Sequence, residues 1–169
     1  MTKMKKKQGN DIRTIAAVCA SIIISTLFIT YTPARADGDG LVTIKSGNSV
    51  KVTIDILEAA LKKKGIGVWA RVDHQANGAT VKESLRPTTV LIFGNPKLGT
   101  PLMRSNQTIG IDLPMKALAW RDANGQVWLT YNDPQYLAHR HAIKDKDAVI
   151  KKMTGALGKL SGKAAAKKK

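Results

Sequence analysis

The chain has 169 residues, with 28 lysines and arginines against 12 aspartates and glutamates, a formal net charge of +16. Aromatic residues make up 5 % of it, too few for a platform of interleaved aromatics and arginines that stacks bases, so the charge does not point to nucleic acid. A single cysteine, Cys19, excludes an internal disulfide and a paired-thiolate metal site.

Residues 1–36 read as a secretory signal peptide. Lys3, Lys5, Lys6, Lys7 and Arg13 make a basic start, and residues 14–32 are almost uncharged and mostly apolar. Ala34-Arg35-Ala36 then places small residues where a signal peptidase reads them. The alternative is an anchor that is retained, because the apolar run approaches the roughly 20 residues that span a bilayer. The small residues and the polar Asp37-Gly38-Asp39-Gly40 favour cleavage behind Ala36 and a periplasmic or secreted protein. Cys19 would leave with the leader. So would six of the 28 basic and one of the 12 acidic side chains, leaving 22 against 11, a net +11.

The remainder has the length of one domain, over 37–161, followed by a lysine-rich tail, 162–169. Residues 41–45 (LVTIK) alternate apolar and polar, as a half-buried strand does. From 52 onward, Ile54, Leu57, Ala60 and Leu61 fall on one helical face. Asp55 and Glu58 stand towards the start of that helix, Lys62–Lys64 at its last turn and Gly65 just beyond, as the helix dipole and a glycine cap require. Residues 68–72 (VWARV) predict a second strand ending at Asp73 and His74, then a polar loop over 75–78 and two helical turns over 79–85. Arg86-Pro87 stops that helix, since the residue before proline avoids the α region. Residues 88–93 predict a buried strand, 101–107 a brief helix and Asp112-Leu113-Pro114 a turn. Two β-rich runs flank Asp122-Ala123-Asn124-Gly125, where Asn-Gly supplies the backbone a hairpin needs. A short helix follows over 134–141. Val149, Ile150, Met153, Leu157 and Leu160 then form the stripe of a last amphipathic helix over 147–160. Beyond Ser161 the chain is expected to be disordered. A hairpin sheet covered by two long helices is an α+β sandwich.

Gly94-Asn95-Pro96-Lys97-Leu98-Gly99-Thr100, directly behind a strand, has most of a phosphate-binding loop. A working loop needs Gly-Lys-Ser/Thr at its end. Here Thr100 follows Gly99 directly, Lys97 lies inside the loop, and Pro96 and Pro101 remove two backbone donors. Nucleotide binding is rejected. The segment is expected to be a structural turn, fixed by glycine conformation and by Asn95 bonding its own backbone, with the rim of a pocket as the alternative.

At these residues the chain resembles a known family. "LRPTTVLIFGNPKLGTPLM", "IGIDLPMKALAW", "NGQVWLTYNDPQYLAHRH" and "VWARVDH" are similar to motifs of the bacterial and archaeal domain of unknown function family 302, over about residues 41–160. The resemblance implies a compact α+β domain with a curved antiparallel β-sheet and helices on one side. It implies no activity.

Chemistry-bearing residues give weak signals. No Gly-x-Ser-x-Gly elbow occurs, and nothing selects an acid–base pair among Asp73, Glu83, Asp112, Asp122 and Asp133, so the reading leans away from an enzyme. His74, His141 and Met103 would make a nitrogen and thioether set for copper or haem iron if they met. Against that, a helix-capping His141, a strand-ending His74 and a core-filling Met103 explain the same residues without a metal. His139 and His141, two apart, diverge if they lie on a helix. Arg86, Asn95 and Tyr131, with His74 and His141, are the candidate binding residues should they converge at one end of the sheet. The expectation is a non-catalytic module that binds a small ligand or protein partner without a cofactor, with copper or haem as the alternative. The tail is expected to make at most a weak contact with anionic surfaces.

Overall fold

The stripe of the first helix sets the layers. The computed structural model describes residues 35–36 and 39–168. The leader's basic start and apolar run therefore lie outside the described residues. In α1 (Val50–Lys63), Val50, Thr53, Ile54, Leu57, Ala60 and Leu61 are buried, a spacing of three and four that keeps them on one face. Each fully buried Leu or Ile there contributes about 1.5–3 kcal/mol. The helix begins earlier than the sequence predicts, because the Ser49 hydroxyl accepts from Val52 N–H at 3.3 Å. Asp55 and Glu58 are consequently not in the first turn and do not serve the dipole. Asp55 instead accepts from Lys51 and Arg71, at 2.8 and 2.6 Å, which holds its carboxyl below the usual range. At the other end Gly65 takes a φ of +65°, Gly65 N–H reaches Lys62 O and Ile66 N–H reaches Leu61 O. That cap is only cheap for glycine.

The strands are β1 (Arg35–Ala36), β2 (Leu41–Ser46), β3 (Gly67–Asp73), β4 (Thr88–Gly94), β5 (Met115–Arg121) and β6 (Val127–Asn132). They form one sheet in the order β1-β2-β6-β5-β4-β3, with every pair antiparallel. Alternation puts Leu91, Phe93, Met115, Ala117, Ala119, Leu129 and Tyr131 on the buried face. The long helices α1 and α5 (Asp147–Ala165) cover that face and each other. This is the α+β arrangement of an antiparallel sheet with two main helices on one face. On the opposite face Trp120 and Trp128 stack, with ring centroids 6.4 Å apart. The β5–β6 hairpin is tied by Asp122, whose carboxylate accepts from Asn124 N–H, Gln126 N–H and the Trp128 indole. In its loop only Gly125 has a positive φ, +82°.

Three sequence expectations shift. The segment 75–78 is not a loop: α2 (His74–Thr80) begins on Asp73, whose carboxylate accepts from Ala76 N–H at 3.1 Å. No helix fills 79–85, since Lys82 has a φ of +61°. The helix expected at 101–107 begins at Pro96 as α3 (Pro96–Ser105), and a 3-10 turn follows at Gln107–Ile111. The tail is not disordered from residue 162. α5 continues to Ala165, with Ser161, Ala164 and Ala165 buried. Asn48 holds its end: Nδ2 donates to Ala164 O and Ala166 O, at 3.1 and 2.6 Å, and Oδ1 accepts from Lys168 N–H. Gly47 N–H also donates to Ala165 O at 2.8 Å. Small residues with little to bury one by one read as a tail, yet they let this helix end approach the β2–α1 turn.

Candidate functional site

Antiparallel pairing gives the sheet two distinct ends. At one, β3 finishes at Asp73 beside the start of β4; at the other, β4 finishes at Gly94 beside the start of β5. α1 runs towards the Gly94 end, and its cap places Leu61 and Ile66 there. α3 starts from the same end: the Asn95 side chain accepts from Lys97 N–H at 2.9 Å, and Pro96 takes the first helical position, where no N–H is needed. The segment that resembles a phosphate loop is thus a strand end, a helix cap and a first helical turn. Asn95 bonds its own backbone as expected. Neither Gly94 nor Gly99 has a positive φ, so conformational need does not explain either glycine.

Gly94 is explained by a neighbour. A Cβ at Gly94 would lie 2.7 Å from the Trp69 ring. Trp69 sits at a β-bulge, where the β3–β4 register shifts between Val68 and Ala70. The bulge turns this indole across the end of the sheet, where it remains 54 % exposed.

Trp69 walls a cavity of about 280 Å³. Leu61 and Ile66 come from the end of α1, Phe93 and Gly94 from β4, and Met115 from β5. Leu98, Gly99 and Met103 of α3 close one side; Met153, Ala156, Leu157 and Leu160 of α5 close another. Asn95 and Thr100 are its polar margin. Such a lining favours carbon and leaves unpaired any polar group placed deep within it.

The predicted site residues divide between the two ends. Asn95 and Met103 line the cavity. His74 and Arg86 belong to the opposite end, separated from Asn95 by the length of β4, roughly 20 Å at 3.3 Å per residue. Arg86 is used there, donating from Nε to Arg121 O at 3.1 Å. Tyr131 is buried in the core face of β6, and burial, with Asp133 nearby, pushes its phenol up to about 12. Arg86, Asn95 and Tyr131 therefore do not converge. Nor do His74, Met103 and His141, since His74 is at the far end. Among the described residues no three His, Cys, Asp or Glu side chains cluster to hold a metal ion.

His141 is buried with both ring nitrogens engaged: Nε2 lies 2.6 Å from Asp112 Oδ2 and Nδ1 lies 2.9 Å from Thr108 Oγ1. Hydroxyl, imidazole and carboxylate in a row resemble a nucleophile with its base. Yet Thr108 Oγ1 also donates to Asn106 Oδ1 at 2.8 Å, Asn106 Nδ2 donates to His141 O, and none of these residues lines the cavity. The cluster joins the end of α4 (Pro134–Arg140) to the 3-10 turn. His139, two residues earlier on α4, faces outward.

What sequence reasoning missed is the cavity itself. Trp69 reads as an ordinary strand residue, and Met153 and Leu160 read as a helix stripe; no local pattern shows the bulge that brings them together.

Fold and site together define a one-sided α+β protein with an apolar cavity at one end of its sheet. The chain belongs to the family described as Domain of unknown function DUF302, which it matches over residues 42–160. It is 47 % identical over 127 residues to "Fluoride-specific ion channel FluC 1" of Brucella suis biovar 1, a match covering 75 % of this chain and 50 % of that protein. "Fluoride-specific ion channel FluC 2" of Brucella melitensis biotype 1 matches at the same 47 % identity and is covered to 47 %. The chain spans about half the length of the curated relatives it matches. The crystal structure of the uncharacterized conserved protein DUF302 from Bacillus stearothermophilus shares the fold, with a TM-score of 0.67 at 19 % identity over 74 % of this chain and 98 % of that one.

Proposed function

We propose that this chain is an exported, non-catalytic binding domain whose ligand is a small apolar molecule held in the cavity between α1, α3 and α5. The observation that carries the reading is the cavity: about 280 Å³, walled by side-chain carbon and by a half-exposed tryptophan. Its size lies just below the usual range for small-molecule sites, roughly 300–1,000 Å³, which limits the ligand to a small one. The half-exposed indole at the bulge, with Gly94 opposite to admit it, leaves one apolar wall of the cavity open to a ligand.

Fluoride conduction is not carried over from the Brucella proteins. An apolar cavity offers nothing to a strongly hydrated anion, and no helix among the described residues is long and apolar enough to cross a membrane. Lys167 and Lys168 are exposed, which supports a weak contact with anionic surfaces beside the ligand role.

The test is a titration with N-phenylnaphthylamine, a neutral apolar fluorophore. Saturable enhancement is expected with the parent protein and its loss with Ala156→Trp, which fills the cavity from α5. Equal enhancement in a folded Ala156→Trp variant, or none in the parent, would sink the reading.

A further inference from the structure

The outer side of α3 carries a second hollow, lined by Pro96, Lys97, Thr100, Pro101, Arg104 and Lys146. It shares Pro96 and Thr100 with the apolar cavity, so the two meet across the first turns of one helix. Helical spacing explains the division. Lys97, Thr100 and Arg104 are three and four residues apart and form one face, while Leu98, Gly99 and Met103 turn towards the cavity. Lys146 pairs with Asp145, which also accepts from Ser105. Lys97 and Arg104 have no carboxylate partner among the described residues.

We infer that the site takes a free medium-chain carboxylate, with its chain in the apolar cavity and its head group on Lys97 and Arg104. This rests on the cavity being a ligand site, and adds what kind of ligand it is. Charge decides the head: two unpaired cations in a hollow that adjoins the hydrocarbon cavity through Pro96 and Thr100 match one anion attached to one chain. Thr100 stands between the two hollows and offers a hydroxyl to the same carboxylate. Volume decides the chain. A cavity of about 280 Å³ is just below the usual size of small-molecule sites, roughly 300–1,000 Å³. That suits one medium chain and is too small for a phospholipid with two long ones. A free carboxylate is therefore favoured over a membrane surface.

The experiment is calorimetric titration of the full chain with decanoate and with decanol, below their aggregation limits and at low salt. Decanoate is expected to bind at least tenfold more tightly than decanol. In Lys97→Ala/Arg104→Ala the difference should collapse while decanol affinity stays as in the parent, and raised salt should reduce it likewise. Equal affinities in the parent, or a decanoate preference that survives the double substitution, would overturn the head-group assignment and leave the cavity reading standing. If neither compound nor the neutral fluorophore binds, the cavity reading itself fails. Phosphatidylglycerol vesicles that compete as strongly as free decanoate would overturn the choice of a free ligand. Melting curves of the double variant check that it folds, and single Lys97→Ala and Arg104→Ala variants replace it if it does not.

Discussion

Gly94 and Gly99 sit in one short segment, and their surroundings give them opposite behaviour. Gly99 is helical, has no positive φ, and a Cβ there would make ordinary contact with Leu113 at 3.6 Å. Glycine costs a helix roughly 0.5–1 kcal/mol relative to alanine. Gly99→Ala should therefore raise the melting temperature, by an amount corresponding to about 0.5–1 kcal/mol. A destabilised Gly99→Ala would restore the view that this residue is conformationally required. At Gly94 an added methyl collides with Trp69, a half-exposed ring that can swing outward. Gly94→Ala should cost less than about 1 kcal/mol, typical of a surface adjustment, yet weaken fluorophore binding and alter indole emission. A variant that loses stability heavily without changing binding would make the contact structural only.

Among the elements, α5 departs most from its sequence pattern. Its stripe of Ile150, Met153 and Leu157 predicts the helix, with Leu160 as the expected end, but Ala164 and Ala165 bury another turn. Of the carbonyls left unpaired at that end, Ala165 O is met by Gly47 N–H and two others by one side chain. Asn48, in the turn between β2 and α1, makes three hydrogen bonds to residues 164, 166 and 168. At about 1 kcal/mol net for each of several shared bonds, Asn48→Ala should cost about 1–2 kcal/mol. Ending the chain after Ser161 should cost about 3 kcal/mol or more, since two buried methyls are lost as well. Denaturant melts of both variants decide; a truncated chain as stable as the parent would show that the contact contributes nothing.

For the whole molecule, the proposed export and the fold make separate demands. Cleavage behind Ala36 would remove β1, the edge strand that pairs Arg35 with Thr43 and Ala36 with Val42. Two edge pairs contribute little, about 0.2–1 kcal/mol each. A chain beginning at Asp37 should fold and melt within a few degrees of the full chain. Mass spectrometry of exported protein should find that start. Recovery of residues 1–36 on the exported chain would replace the signal peptide with an anchor.

The sequence by itself determined most of the strands, the two long helices and the hairpin, while the wholly antiparallel sheet was what the family resemblance implied. Those strands, helices and hairpin each rest on a periodicity or a turn chemistry contained within a dozen residues. It also placed Asn95 correctly as a residue that bonds its own backbone. Where elements begin was less legible: Ser49 and Asp73 cap helices that their apolar patterns place later. Only the tertiary structure decided which end of the sheet each candidate reached. It set His74 and Arg86 apart from Asn95, engaged both nitrogens of His141, and docked the alanines of α5. The cavity belongs wholly to that level. Its walls come from β3, β4, β5, α1, α3 and α5, and one bulged register aims Trp69 across them. Hydrophobic burial is non-directional. A sequence can therefore name the residues that leave water without saying where their packing leaves a space.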